Sequence, residues 1–245
     1  MNRRAILLPV FRPLPASAKG FTLLEILIAI FIFAVVITMI FGTFNAVISR
    51  TEAIKNGTGD YEMATTCLNR MVSDLNATYV DQKPLYKPRD INDGPDPYGF
   101  VGKEDSTGGK NFAQLRFAST EHLSMTGKAE KGIAQILYYV KEINNPENET
   151  EYVLKRSDTI NFESQDLAKF EPKDSDPVLC EKLEELTFIY FDADGNAHET
   201  WDSDGDEVKY ATPSAVEIRL KMSSGNDHYL FTTKTCIPVY RKKSE

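Results

Sequence analysis

The chain has 245 residues, of which 42% are hydrophobic and 26% are charged, and this composition excludes a disordered polypeptide. Its formal net charge is −8, although the first 20 residues carry four basic residues and no acid, so the remaining chain is more acidic still. An acidic body argues against a nucleic-acid partner, because binding to a phosphate backbone requires a basic surface.

An apolar run over residues 21–41 is the first predicted element. At about 1.5 Å per residue it forms a helix about 30 Å long, which matches the hydrocarbon core of a bilayer. Secretory signal peptides have a shorter apolar region, of about 7 to 15 residues, before a small-residue cleavage site, and neither feature is clear in this run. Because the basic residues precede the run, the positive-inside rule places residues 1–20 in the cytoplasm and the rest across the membrane.

Glu25 lies near the start of this run, where a carboxylate is unexpected. A charge near the centre of a spanning helix costs about 2.5–3.5 kcal/mol, and less near its end. The helix dipole or the lipid headgroups would favour the carboxylate at that end. Cleavage between Gly20 and Phe21 would instead create an α-amino group one helical turn away. The two charges would then neutralise each other, within one chain or between neighbouring chains.

The heptapeptide Lys19-Gly20-Phe21-Thr22-Leu23-Leu24-Glu25 resembles the cleavage and methylation motif of type IV pilins and type II secretion pseudopilins. In that family a prepilin peptidase cuts after the glycine and methylates the new N-terminus. The resemblance implies that Gly20 is the cleavage-site residue and that Phe21 is the N-methylated first residue of the mature chain. It also implies that Glu25 meets a neighbour's N-terminal amine during assembly.

A helical pattern continues beyond the apolar run, to about residue 79. Apolar residues recur there at steps of three and four: Tyr61, Ala64, Leu68, Met71, Val72 and Leu75. Packing in the protein's own core is the favoured interpretation, and packing against a partner's helix is the alternative. Arg70 and Asp74, at i and i+4, are predicted to form a surface ion pair worth roughly a few tenths of a kcal/mol.

The remainder of the chain is predicted to be rich in strands. Residues 80–111 hold four prolines and five glycines, which is typical of a long loop. Strand character follows at 112–119, 133–143, 152–155, 186–191, 198–201, 215–222 and 229–235. Turns at 144–148 and 192–196 join consecutive runs. Short strands with local turns predict antiparallel sheets covered by the long helix, which is an α+β fold.

The body resembles, more narrowly, minor pseudopilin J of type II secretion systems. The similarity lies in the helix exit at 68–75, in the segment 183–192 with its turn and Trp201, and in the strand after Pro213 and Ser214. It implies a pilin-like fold with a cytoplasmic leader (1–20), a transmembrane helix (21–41), a periplasmic part of the helix (42–79) and a β-rich periplasmic body (80–245).

The resemblance also implies a structural subunit without enzymatic activity or cofactor. Such a single-pass inner-membrane protein belongs to the tip complex of the periplasmic pseudopilus, which helps export folded proteins across the outer membrane. The implied partners are minor pseudopilins I, K and H, major pseudopilin G, the prepilin peptidase, the inner-membrane secretion platform and the lipid bilayer. The alternatives are a minor pilin of a type IV pilus and a signal-anchored periplasmic enzyme or binding protein.

An acidic stretch after residue 191 offers weak candidates for calcium ligands, namely Asp192, Asp194, Asp202, Asp204 and Asp206. The stretch lacks the EF-hand arrangement, because Glu207 stands where the loop needs glycine and Pro213 where it needs the bidentate glutamate. Polar hairpin turns are the favoured interpretation of these residues.

Three cysteines, Cys67, Cys180 and Cys236, have neither a metal-binding spacing nor a CxxC spacing. In an exported body the sequence allows one disulfide, between Cys180 and Cys236, because both lie in the strand-rich half whereas Cys67 lies in a predicted helix. Separately buried thiols are the alternative.

Overall fold

The computed structural model describes residue 20 and residues 22–82, 96–122, 132–144, 149–160, 172–224 and 227–243. By its internal contacts the chain divides into two units, Met1–Ala53 and Ile54–Glu245. Helix α1, Leu23–Asn76, contributes residues to both units.

In the first unit, helix α1 contains a span of 22 residues, Leu23–Phe44, that is long and apolar enough to cross a membrane. None of this span is buried within the protein, and Phe31 and Phe33 are each about two-thirds exposed. So much contiguous apolar surface is unfavourable in water. This part of the helix therefore needs lipid or other apolar helices around it, as a single-pass anchor would have.

The described part of the second unit contains ten strands in two antiparallel sheets. The first sheet has the order β5-β4-β3-β2-β1-β8, and the second has the order β10-β9-β6-β7. The strands are β1 (Val101–Thr107), β2 (Lys110–Ser119), β3 (Ala134–Asn144), β4 (Thr150–Ile160), β5 (Val178–Cys180), β6 (Leu183–Phe191), β7 (Ala197–His198), β8 (Trp201–Asp202), β9 (Ala215–Ser224) and β10 (Asp227–Cys236).

Strand β9 shows why these sequences form sheets. Its apolar residues Val216, Ile218 and Leu220 are buried, whereas the charged residues between them lie on the other face. This alternation with period two fits a pleated strand with one face toward the core. Strands β9 and β10 pair along ten residues, and β3 and β4 along eleven, so hairpins determine most of the register.

The core of the second unit lies between helix α1 and the sheets. The buried helix residues are Ala64, Cys67, Leu68, Met71 and Leu75, and they share one hydrophobic cluster with residues of both sheets. Their spacing of three and four places them on one face of the helix. The predicted stripe and the α+β class are confirmed. Tyr61 differs, because it is exposed and its ring packs on that of Phe231.

Two parts of the strand prediction are wrong, and the short strand β5 was not predicted. The predicted loop over residues 80–111 contains β1 and the start of β2, and its residues 83–95 lie outside the described residues. The predicted strand at 198–201 is two short strands in different sheets, since β7 pairs with β6 and β8 pairs with β1. Strand β1 was predicted as loop because glycines are rare in strands. The break between β7 and β8 was not predicted because strand propensity does not indicate to which sheet a residue belongs.

Gly102 in β1 gives a prediction about packing. A Cβ atom at this position would lie 1.9 Å from the hydroxyl oxygen of Tyr190, whose ring is buried in the core. Gly102→Ala is therefore expected to lower the free energy of unfolding by about 1–3 kcal/mol, because the core must shift to admit the methyl group. Urea unfolding followed by the fluorescence of Trp201, the only tryptophan of the chain, measures this.

Gly59→Ala in helix α1 is the matched control. Nothing lies within 4 Å of a Cβ there, so the same methyl group should be neutral or mildly stabilising. Equal effects of the two substitutions would contradict the packing of Tyr190 against β1.

Candidate functional site

The N-terminal junction is the start of helix α1, immediately after the predicted cleavage site. The backbone N–H of Glu25 donates to the side-chain oxygen of Thr22 at 3.2 Å and to its carbonyl oxygen at 3.1 Å. The N–H of Ile26 donates to the same carbonyl at 3.3 Å. Thr22 therefore caps the helix, and Glu25 is the third helical residue. Gly20 is exposed, and Phe21 lies outside the described residues.

Glu25 is exposed in the first turn of α1. A carboxylate is favoured there by the positive end of the helix dipole. Within the described part of the chain, its carboxylate has no hydrogen-bond or ion-pair partner. The junction thus presents the negative charge of Glu25 at the start of an apolar span. A positive group that is not among the described residues could pair with this carboxylate.

A second polar site, the Asp74 network, joins the end of α1 to the first sheet. Asp74 has no exposed side-chain surface, and Arg156 of β4 donates to it through Nε at 2.7 Å and through Nη2 at 3.3 Å. Arg70 and the hydroxyl of Tyr138 also donate to the Asp74 carboxylate. A buried carboxylate costs several kcal/mol unless it is paired in this way.

The network extends from Arg156 toward the surface. Arg156 Nη1 donates to Asp158 at 2.6 Å, and Nη2 donates to the carbonyl oxygen of Glu121 at 3.0 Å. His122 Nδ1 lies 2.6 Å from the other oxygen of Asp158. Burial alone would lower the pKa of Arg156, but its hydrogen bonds to Asp74 raise that pKa above the usual value. The guanidinium of Arg156 therefore stays charged. The network links helix α1 to strands β3 and β4 of the first sheet.

Asp192 organises the turn between β6 and β7. Its Oδ1 accepts the backbone N–H groups of Asp194 and Asn196, each at 2.9 Å, and its Oδ2 accepts the Asn196 amide at 3.0 Å. The ammonium of Lys243 donates to Asp192 at 3.0 Å and to Asp194 at 2.8 Å. A lysine thus already supplies the positive charge at this turn.

The other three calcium candidates have partners other than Asn196 and Lys243, and two of them, Asp202 and Asp204, are joined to each other. Asp202 accepts the N–H of Asp204, Asp204 accepts the N–H of Asp96 at 2.8 Å, and Asp206 accepts the hydroxyl of Tyr210. Among the described residues, no three acidic, histidine or cysteine side chains are grouped to hold a metal ion. The structure does not bring the five aspartates together, and calcium binding by them stays an untested prediction.

Comparison with protein families addresses the body and the junction separately. Residues 42–232 match the model described as type II secretion system (T2SS), protein J. The chain belongs to this family. Residues 15–41 match the prokaryotic N-terminal methylation motif, so the two matches adjoin and together reach from residue 15 to β10. A comparison with curated proteins finds no match.

Membership of the J family identifies the chain as a minor pseudopilin of the type II secretion system. The prepilin-type motif and the narrower resemblance to J are confirmed. The family is a structural one, and a pseudopilin associates with other pseudopilins and with the secretion machinery. The individual roles of Gly20, Phe21 and Glu25 remain predictions.

The cysteines of this J-family chain are arranged differently from the prediction. The Sγ atom of Cys180 in β5 lies 3.4 Å from that of Cys67 in α1, and both residues are buried. Cys236 is exposed at the end of β10, an edge strand of the second sheet. The structure therefore contradicts the predicted Cys180–Cys236 pair, since β5 is at the edge of the other sheet and its cysteine faces the helix.

The Asp74 network is the part of the site that sequence reasoning missed. The pair Arg70–Asp74 was expected at the surface, but Asp74 is buried and its principal partner is Arg156, 82 residues later. One signal was available, because Asp74 is three residues after Met71 and seven after Cys67 and so shares their buried helix face. No local pattern identifies the arginine that neutralises it.

Acid titration tests the turn at Asp192. The hydrogen bonds from Asn196, followed by the ammonium of Lys243, hold the pKa of Asp192 well below its usual value. A lowered pKa stabilises the folded chain above the unfolded value of about 3.9, and this stabilisation is lost as the pH falls further. The difference in free energy of unfolding between wild type and Asp192→Asn should thus shrink between about pH 5 and pH 2.

Lys243→Met serves as the companion variant. It removes one of the groups that lower the pKa, so it should reproduce part of the same pH dependence in urea titrations. A difference between wild type and Asp192→Asn that is constant over this range would show that the turn does not depend on the ionised carboxylate.

Proposed function

We propose that this minor pseudopilin enters the inner membrane as a precursor, is cut after Gly20 and methylated at Phe21, and takes a place at the tip of the periplasmic pseudopilus. Residues 1–20 are cytoplasmic before processing, and the body lies in the periplasm. Its neighbours are minor pseudopilins I, K and H, with major pseudopilin G below them. Its role is structural, and catalysis and cofactors play no part in it.

The observation that carries this proposal is the geometry of the N-terminal junction. The helix begins at Leu23, so a cut after Gly20 leaves only Phe21 and Thr22 before the first helical turn. The new α-amino group would lie near the positive end of the helix dipole, which is an unfavourable place for a cation. A carboxylate from Glu25, in its own chain or a neighbour, would neutralise that amine.

The exposed apolar span explains how the junction drives assembly. In lipid, helices associate by close packing, and an unpaired charge inside the bilayer is costly. When a subunit leaves the bilayer for the filament, its span exchanges lipid for neighbouring helices. Pairing of Glu25 with an incoming amine removes two unpaired charges in the same step, which favours addition of the next subunit.

Co-purification tests the position in the filament. The chain is expressed with a tag on its C-terminus together with candidate pseudopilins I and K, and the complex is isolated from detergent-solubilised membranes. A stable ternary complex is expected, and it should persist when residues 54–245, the second unit, are directed to the periplasm by a cleavable signal peptide. A complex that survives truncation would show that I and K bind to the body. If they bound only to the membrane helix, the complex would be lost on truncation.

Two results would overturn parts of this proposal. Processed chain that binds neither I nor K would exclude the tip position while leaving the prepilin-type maturation intact. Co-purification with the subunits of a retractable type IV pilus would favour the minor-pilin alternative. A signal-anchored enzyme or binding protein would keep Met1 and would join no filament.

A further inference from the structure

We infer that Cys67 and Cys180 form a disulfide that fastens helix α1 to strand β5 in the exported protein. The two Sγ atoms lie 3.4 Å apart, and closing the bond to about 2.05 Å requires a movement of about 1.3 Å. The inference rests on the proposed periplasmic position of the body, because disulfides persist in oxidising compartments and are rare in the cytosol.

The two cysteines belong to the core of the second unit. Cys67 is 1% exposed and Cys180 is fully buried, and both belong to the hydrophobic cluster beneath the helix. Cys180 pairs with Leu154 of β4 across the ladder, at the edge of the first sheet. A bond here therefore joins elements that already pack together, so it needs no rearrangement of the fold.

Strand β5 is the element that gains most from such a bond. It has only three residues, and in the described part of the chain its ladder contacts are with β4 alone. A short edge strand held on one side is among the first elements to open locally. A covalent link to the helix would hold it in place, and it would close a loop between positions 113 residues apart.

The bond forms by thiol–disulfide exchange with an oxidising protein disulfide of the periplasm. One thiol of the pair loses its proton and attacks a sulfur of that disulfide, which releases a thiolate and leaves a mixed disulfide. The second thiol then loses its proton and attacks the mixed disulfide. Two S–H bonds are replaced by one S–S bond, and the two electrons and two protons pass to the oxidant, which becomes a dithiol.

The order of events follows from burial. The neighbouring Cys67 thiol and burial both raise the pKa of Cys180, so the folded chain contains little of the reactive thiolate. Oxidation must therefore precede closure of the core, while the body folds after export. Once closed, the bond is shielded from small reductants by the same burial.

Peptide mapping of the full chain tests the inference. Membranes are acid-quenched and alkylated with N-ethylmaleimide, and the chain is digested with trypsin without reduction. The three cysteines fall on separate tryptic peptides, residues 56–70, 174–182 and 235–241. The expected result is a cross-linked species of 56–70 with 174–182, with 235–241 alkylated. The link should resist dithiothreitol in the folded chain and disappear when urea is added.

Cys236→Ser is the matched control, since it removes the exposed thiol and should leave the cross-linked peptide unchanged. Protease added to spheroplasts establishes in the same preparation whether the body is periplasmic. If the body is periplasmic but peptides 56–70 and 174–182 are both alkylated, or either is linked to 235–241, the disulfide is wrong and the proposed function stands. If the body is cytoplasmic, the topology and the disulfide are both wrong.

Discussion

Replacing Arg156 with methionine is expected to lower the free energy of unfolding by about 3–5 kcal/mol. The substitution keeps an apolar stem of similar length but removes the guanidinium that donates twice to Asp74. The Asp74 carboxylate, which has no exposed side-chain surface, then keeps only Arg70 and the Tyr138 hydroxyl as donors. The loss reflects a buried charge left incompletely paired, at the point where the helix meets the sheet.

The measurement is urea unfolding of the detergent-solubilised chain, followed by the fluorescence of the buried Trp201. Arg219→Met in β9 is the matched control, because Arg219 is an exposed arginine that pairs with Glu217 at 2.7 Å. Exposed pairs contribute at most about 1 kcal/mol. If the two substitutions cost the same, the Asp74 network is not what holds the helix to the sheet.

Replacing Glu25 with alanine is expected to leave cleavage after Gly20 intact and to reduce incorporation into the filament about tenfold or more. The reason is that the incoming amine would lose its counter-charge, and one unpaired charge in lipid costs more than the 1.4 kcal/mol that corresponds to a factor of ten. Cross-linking of the chain to partner pseudopilins in membranes measures incorporation. Export of the system's substrate proteins measures the consequence.

Glu62→Ala controls for the loss of a carboxylate from the same helix. Glu62 is exposed in the second unit, 37 residues after Glu25 in the sequence, and its removal should change neither incorporation nor export. Normal cross-linking together with normal export in Glu25→Ala would show that the carboxylate plays no part in assembly.

The sequence predicted the elements whose signals are local. The apolar span, the buried stripe with Ala64 and Met71, and the alternation of β9 each follow from hydrophobic periodicity within one segment. The position of Glu25 in the first helical turn also fits a local cause, since an acid is favoured near a helix N-terminus. In each case the physical cause lies within a few residues of its effect.

The features that the sequence did not predict depend on pairing across long separations. Arg156 and Asp74 are 82 residues apart, and Cys180 and Cys67 are 113 apart. The cysteines that lie close together are determined by the sheet to which each strand belongs. Hydrophobic periodicity does not indicate that sheet. Strand β1 was not predicted because a glycine is usually a sign of a loop, whereas Gly102 lies in a strand and allows close packing against Tyr190.

Prepilin-type processing determines the first residue of the mature chain. The chain is purified from membranes of its native host, and its N-terminal peptide is sequenced by mass spectrometry. We expect a peptide that begins with N-methylated Phe21, and Gly20→Val should abolish it and leave the precursor. Recovery of a chain that retains Met1 and the following 19 residues would contradict prepilin-type processing, and with it the role of Glu25 in assembly.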